Sequence, residues 1–128
     1  MKKIIKMLVL SAMPMLFSTA TYAEQDKHSA ATIERQLLLK KKLTLPSNNI
    51  LANVIRVQFP KGYKTLSHTH EGPGPRYVVR GQLRVEDNGE TKTFNAGEVF
   101  WETGDVMTVE NVGLGEAEII IFEMAPAK

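Results

Sequence analysis

The chain has 128 residues, with 16 basic and 14 acidic side chains, three histidines and no cysteine. A chain of this length supports one compact domain, and its nearly balanced charge gives no electrostatic basis for binding nucleic acid. The lack of cysteine excludes a disulfide framework and a lipid-modified cysteine anchor, so the fold must be stabilised by its apolar core.

Residues 1–23 have the pattern of a secretory signal peptide. A basic start with three lysines precedes an apolar run over residues 7–17, and small residues lead up to Ala23. The apolar run is short for a bilayer span, which takes about 20 residues, so an uncleaved anchor is the lesser alternative. We therefore predict cleavage after Ala23 and a periplasmic or secreted mature chain without membrane contact. Its 105 residues keep 13 of the 16 basic side chains and all 14 acidic ones.

Residues 24–45 are predicted to form an N-terminal tail and an arm. The tail is polar over residues 24–32, and His28 is interpreted as a solvated residue within it. The arm, residues 33–45, is rich in leucine, and we expect it to be extended. Three lysines at residues 40–42 suggest either an anionic surface partner or a charged edge that discourages sheet-to-sheet pairing, and we favour the second interpretation.

Residues 46–128 carry short β-rich segments that are separated by turn residues. Many short strands at regular spacing are typical of an all-β sandwich or barrel. The dipeptide Asn88-Gly89 predicts a tight hairpin, because both residues tolerate positive φ. We predict strands at residues 50–59, 77–79, 82–86, 91–94, 98–101, 106–110 and 118–124.

Two of the three histidines, His68 and His70, are separated by one residue. In an extended strand, residues i and i+2 project from the same face. Both imidazoles are therefore expected to face one shared space, which is a simple way for a sheet to offer two nitrogen ligands to a metal ion. We take His68 and His70 as candidate metal ligands.

The segment around these histidines resembles the first motif of the cupin family, G-x5-H-x-H-x3,4-E-x6-G, from Gly62 through His68 and His70 to Gly81. Residues 97–111 resemble the second cupin motif, G-x5-P-x-G-x2-H-x3-N, with one residue deleted near its start. The likeness covers about residues 50–124. It implies a small single-domain cupin, an all-β jelly-roll barrel of two antiparallel sheets, which forms a homodimer through the arm.

The resemblance also implies a site whose usual form is altered in this chain. In the cupin family, three histidines and one glutamate usually surround iron, manganese, zinc, nickel or copper. Gly74 stands here at the glutamate position and Met107 at the second-motif histidine position. The resemblance therefore implies either one such divalent metal ion bound by His68 and His70, or a metal-free pocket.

Other residues are candidates for the missing ligands. Glu71, Glu102 or Asp105 would supply a carboxylate, although Glu71 has the wrong parity to share a face with the histidines. Met107 with the two histidines would make a soft site that suits Cu(I). We favour the simpler interpretation that Met107 fills the apolar core.

Arg76 is the candidate ligand-binding residue. It has the parity of position 74 and would point into the barrel, where a guanidinium suits a carboxylate, phosphate or enolate. Pairing with a surface acid is the alternative. Tyr77 and Trp101 are large enough to line a pocket, but packing is the simpler interpretation of each.

Two hypotheses of function follow for a barrel pocket centred on His68 and His70. The first is a metal-dependent enzyme of oxygenase or isomerase type. The second is a non-catalytic periplasmic binding module for a small, anionic molecule. The chain has no cysteine, which excludes a cysteine nucleophile. A phosphate-binding loop is also excluded at Gly72–Pro75, because the two prolines there lack the backbone N–H groups that would donate to a phosphate.

Overall fold

A computed structural model describes residues 33–45 and 47–128, and the compact unit Arg35–Lys128 contains seven β-strands. The predicted signal peptide, the tail and His28 lie outside the described residues. Within the described ranges there is no helix that could cross a membrane. The strands are β1 (Ile50–Phe59), β2 (Gly74–Arg80), β3 (Gln82–Asp87), β4 (Glu90–Asn95), β5 (Val99–Glu102), β6 (Met107–Asn111) and β7 (Ala117–Pro126).

The seven strands form two antiparallel sheets. One sheet has the order β1-β7-β2-β5 and the other has the order β4-β3-β6. In the larger sheet, Asn53 of β1 lies opposite Glu123 of β7, and Gly74 of β2 lies opposite Glu102 of β5. This arrangement confirms the all-β class and the jelly roll of two antiparallel sheets, and it brings polar residues of four strands to one end.

All seven predicted strands are present, and several extend further than the local sequence indicates. β2 begins at Gly74, because residues 74–77 pair with β5. β7 runs to Pro126, because it pairs with β1 along its whole length. The hairpin between β3 and β4 turns at Asn88 (φ 50°) and Gly89 (φ 78°), which confirms the turn predicted from that dipeptide.

The apolar core lies between the inner faces of the two sheets. Along each strand alternate residues face inward, and the inward side chains are mostly aliphatic or aromatic. The polar exceptions Arg76, Glu102 and Glu123 share the inner-face parity of their buried neighbours Val78, Phe100 and Ile121. The buried core comprises Phe59, Val78, Leu83, Val85, Phe100, Met107, Val109, Ala117, Ile119 and Ile121.

Asn111, at the end of β6, ties that strand to the end of β1. Its buried amide nitrogen donates to the carbonyl oxygens of Phe59 (2.9 Å), Pro60 (3.1 Å) and Gly115 (2.8 Å), and its Oδ1 accepts from the Gly113 amide at 3.0 Å. The last residue of the second cupin-like motif thus stabilises the barrel.

The arm, residues 33–45, forms neither helix nor strand. Lys41 Nζ lies 5.7 Å from the centroid of the Trp101 ring, a cation–π distance. Leu37 is 76% exposed and Leu38 is 47% exposed. The arm therefore adds apolar side chains to the protein surface.

Candidate functional site

His68 and His70 lie on a short segment that joins the smaller sheet through β6. The His68 amide donates to the Met107 carbonyl at 3.0 Å, and the Met107 amide donates back to the His68 carbonyl at 2.9 Å. The His70 amide donates to the Gly104 carbonyl at 3.3 Å. The two imidazole centroids are 5.1 Å apart with an interplanar angle of 70°. The spacing of the histidines thus places both rings together.

The ring of His68 has its tautomer set by the backbone. Its Nδ1 lies 2.9 Å from the carbonyl oxygen of Leu66, which accepts a hydrogen bond and cannot donate one. Nδ1 therefore carries a proton, and Nε2 of the neutral ring is a hydrogen-bond acceptor. No described residue hydrogen-bonds to this Nε2.

The ring of His70 lies between two carboxylates. Its Nε2 is 3.1 Å from Oε2 of Glu102, and its Nδ1 is 3.3 Å from Oε2 of Glu123. The side chain is 16% exposed, whereas both glutamates are buried. Because an ionised carboxylate only accepts hydrogen bonds, a ring nitrogen can donate to either glutamate only where that nitrogen carries a proton.

Glu102 forms a buried ion pair with Arg76. Oε2 of Glu102 accepts a hydrogen bond from Nε of Arg76 at 2.6 Å, and Nη2 lies 2.6 Å from the same oxygen. Nη1 donates to the Phe122 carbonyl at 2.9 Å. Nη2 has no aligned hydrogen-bond acceptor among the described residues, although it lies within ion-pair distance of this oxygen.

The protonation of Glu102 depends on two opposing effects. Burial raises the pKa of the Glu102 carboxyl, because the charged form loses its hydration. The positive charge of Arg76 and the nearby histidines oppose that rise. The net direction is upward, so this carboxyl holds its proton to a higher pH than an exposed glutamate does.

Glu123 is a site residue that the sequence analysis did not identify. It lies on β7, and its Oε1 accepts a hydrogen bond from Nδ2 of Asn53 at 3.2 Å. A signal for it was present, because Glu123 has the core-facing parity of the buried residues Ile119 and Ile121. A charged residue at such a position needs a buried partner.

Arg76 faces the barrel interior and pairs with a buried acid, not with a surface acid. Arg76 is 0% exposed, so no part of its surface is accessible to a ligand in this structure. Direct contact between Arg76 and a ligand stays a prediction. Of the three carboxylates that were considered as replacement ligands, Glu102 lies beside His70, whereas Glu71 and Asp105 are exposed.

The two positions where the cupin pattern is altered have different surroundings. A Cβ atom at Gly74 would collide with the carbonyl oxygen of Phe122, so the motif's glutamate has no space there. Met107 is 2% exposed and packs in the apolar core, in agreement with its interpretation as a filler.

The donor groups do not fit the metal ion that the resemblance implies. Among residues 33–45 and 47–128, no group of three or more histidine, aspartate or glutamate side chains is placed to hold a metal ion. Both nitrogens of His70 face carboxylates, and Oε2 of Glu102 is neutralised by Arg76. Metal binding by His68 and His70 stays a prediction.

Two clefts lie on either side of Trp101, the residue before Glu102. One, of about 400 Å³, is at the seam between β4 and β5 and is lined by Phe94, Phe100 and Lys41 among others. The other, also of about 400 Å³, is lined by the arm, β1 and β7. Trp101 lines both clefts, and neither of the two is lined by His68 or His70.

Solved structures of other proteins share this architecture. A predicted oxalate decarboxylase from Thermotoga maritima is 26% identical, with a TM-score of 0.50 over 58% of this chain and 65% of that chain. A cupin superfamily protein from Desulfitobacterium hafniense is 12% identical, with a TM-score of 0.50 over 73% of this chain and 94% of that chain. The cupin domain of Schizosaccharomyces pombe Cnp3 is 18% identical, with a TM-score of 0.51 over 66% of this chain and 58% of that chain.

These similarities concern the fold. The chain spans less than two thirds of the length of the Thermotoga maritima protein. No family model matches the sequence, and no curated protein matches it.

Proposed function

We propose that this chain, whose fold is the cupin-type jelly roll, is a non-catalytic module that binds a small hydroxyl-bearing molecule at His68 and His70 without a resident metal ion. The observation that carries the proposal is the ring of His68. Its Nδ1 is directed at the Leu66 carbonyl, so Nε2 is available as an acceptor. The hydroxyl of a sugar or other uncharged polyol is the matching donor.

The charges behind the histidines favour a hydroxyl over a simple anion. The charge of Arg76 is balanced by Glu102, and the second carboxylate, Glu123, lies beside His70. An anion would therefore meet two carboxylates and one guanidinium, whereas a hydroxyl brings no charge into the site. The anionic ligand expected from the sequence required an Arg76 that is not paired with an acid. Oxalate tests that alternative separately in the experiment described below.

The metal-dependent enzyme, of oxygenase or isomerase type, is the second candidate. The 26% identity to the Thermotoga maritima protein described as a predicted oxalate decarboxylase supports an enzyme, although a decarboxylase is neither an oxygenase nor an isomerase. The contacts that occupy His70 and Glu102 argue against it as the first choice, because a metal ion would have to displace Arg76 or a carboxylate.

A thermal-shift experiment on the mature protein distinguishes these candidates. The probes are rhamnose, erythritol and oxalate, each tested with EDTA and with added Mn²⁺ or Zn²⁺. We expect the uncharged rhamnose or erythritol to raise Tm in EDTA, and we expect His68→Ala to abolish the shift. Arg84→Ala, which removes the exposed pair with Glu110, is the matched control and should keep it. A shift with oxalate alone indicates the anionic ligand, and a shift that requires metal indicates the enzyme. No shift with any probe would overturn both.

The proposal includes export of the mature chain, residues 24–128, to the periplasm or the medium. It is supported by the basic, apolar and small-residue pattern of residues 1–23. Fractionation of expressing cells, followed by N-terminal sequencing, should find Glu24 as the first residue outside the cytoplasm. An intact Met1 terminus in the membrane fraction would contradict this part.

A further inference from the structure

We infer that Glu123, held by Asn53, is a positioning residue that fixes the ring of His70 from the side opposite Glu102. This inference rests on the proposed function, because it names the residues that keep the proposed binding site in shape. It assigns a role to two residues that the cupin motifs do not contain.

The contacts of Glu123 divide between its two oxygens. Oε1 accepts from Nδ2 of Asn53 at 3.2 Å, and Oε2 lies 3.3 Å from Nδ1 of His70. Asn53 and Glu123 are directly opposite each other in the pairing of β1 with β7. One oxygen is therefore anchored to the sheet while the other faces the imidazole.

The burial of Glu123 makes these contacts energetically necessary. The residue is 6% exposed, and the adjacent inward positions on β7 are Ile121 and Ala125, which are apolar and buried. A carboxylate in such surroundings is costly unless hydrogen-bonded partners surround it. An apolar side chain would fill the same position at lower cost, so packing alone does not explain a carboxylate there.

The two glutamates hold opposite nitrogens of one ring. A rotation of the imidazole by 180° about its Cβ–Cγ bond would place a ring carbon where each nitrogen now lies. It would break the contacts with both Glu102 and Glu123. With both carboxylates present, the ring has one favoured orientation next to His68, whose centroid is 5.1 Å away. Loss of Glu123 leaves only the contact with Glu102 to oppose the rotation.

The same two strands provide a matched control. Nε2 of Gln58 donates to Oε2 of Glu118 at 3.3 Å, and these two residues are also directly opposite each other in β1 and β7. Gln58→Ala therefore removes an amide–carboxylate pair like the one that Asn53→Ala removes. The carboxylates that contact the His70 ring are those of Glu102 and Glu123, not that of Glu118. Gln58→Ala should therefore leave the ring unchanged.

The test is NMR of the ligand-free mature protein with labelled histidine. We expect a nuclear Overhauser effect between the His68 and His70 rings in the wild type and in Gln58→Ala, and its weakening in Asn53→Ala and Glu123→Ala. If Glu123→Ala does not fold, Asn53→Ala alone decides, because it leaves the carboxylate in place. An unchanged effect in the folded variants would overturn the inference.

Calorimetric titration with rhamnose then connects the ring to binding. We expect Asn53→Ala to weaken rhamnose binding about tenfold, the size of loss that follows removal of a partner that orients a ligating histidine, and Gln58→Ala to leave it unchanged. Equal affinity in both variants contradicts the positioning role. If the wild type binds neither rhamnose nor erythritol, the proposed function fails, whereas the ring effect still decides the inference.

Discussion

Oε2 of Glu102 lies 2.6 Å from both Nε and Nη2 of Arg76, and neither side chain reaches solvent. One carboxylate oxygen thus carries most of the charge compensation for a guanidinium inside an apolar barrel. His70 approaches the same oxygen at 3.1 Å. The stability of the barrel and the geometry of the candidate site are therefore linked through Glu102.

Removal of one partner of this pair should be more harmful than removal of both. We expect Arg76→Met to lower the free energy of unfolding by about 3–5 kcal/mol, because it leaves a buried carboxylate without its cation. The double variant Arg76→Met/Glu102→Leu should lose less than the single variant. Urea unfolding monitored by the fluorescence of Trp101 measures both. Arg84→Ala, which breaks an exposed pair, should cost at most about 1 kcal/mol.

Equal losses of unfolding free energy in Arg76→Met and in Arg76→Met/Glu102→Leu would contradict the stabilising interaction between the two side chains.

The raised pKa of Glu102 predicts a pH dependence of stability. In the folded protein this carboxyl keeps its proton above its ordinary pKa of 4.5, so the folded state binds more protons than the unfolded state above that pH. The free energy of unfolding contributed by Glu102 is therefore greatest below pH 4.5 and falls as the pH rises through the folded-state pKa. Glu102→Gln should lack this component.

The measurement is urea unfolding at a series of pH values in the wild type and in Glu102→Gln. If the plots of unfolding free energy against pH for the two proteins remain parallel above pH 4.5, Glu102 titrates alike in the folded and unfolded states, which would contradict the prediction.

Gly74 should not tolerate the glutamate of the cupin motif. A Cβ at this position would collide with the carbonyl oxygen of Phe122, which is backbone and cannot move aside cheaply. We expect Gly74→Glu, and equally Gly74→Ala, to lower Tm strongly and to gain no metal. Gly115→Ala is a control for glycine loss without a collision, since no atom lies within 4 Å of a Cβ there and its φ is not in the left-handed region. A stable Gly74→Glu protein that binds stoichiometric Mn²⁺ would refute the steric argument.

The exposed leucines of the arm predict association of two copies. Leu37, Leu38 and the sheet residues Val54 and Phe122 are all more than 40% exposed, which leaves apolar side chains on the surface. We expect the mature protein to be a homodimer and Leu37→Asp/Leu38→Asp to be a monomer with an unchanged circular dichroism spectrum. Light scattering after size exclusion measures both masses. A monomeric wild type would rule out the dimer.

Much of the fold could be predicted because its signals are local. Turn residues bound each strand, and the one-residue spacing of His68 and His70 is enough to place their rings together. Parity likewise indicated that Arg76 points inward. These properties depend on neighbours in the sequence and not on which strands pair.

The pairing of Arg76 with Glu102 and the presence of Glu123 in the site could not be predicted, because both depend on pairing between distant strands. Arg76 and Glu102 are 26 residues apart, and only the pairing of β2 with β5 brings them together. Glu123 lies 70 residues from Asn53, and its role required the register of β1 with β7. The sequence around each residue does not show which distant strand will lie beside it.

The most direct test of the central claim is the thermal shift of metal-free mature protein with rhamnose and erythritol in the presence of EDTA, compared between wild type and His68→Ala. The proposed binding at His68 predicts a rise in Tm for the wild type that His68→Ala abolishes. A rise that appears only after Mn²⁺ or Zn²⁺ is added, or that His68→Ala retains in full, would contradict it.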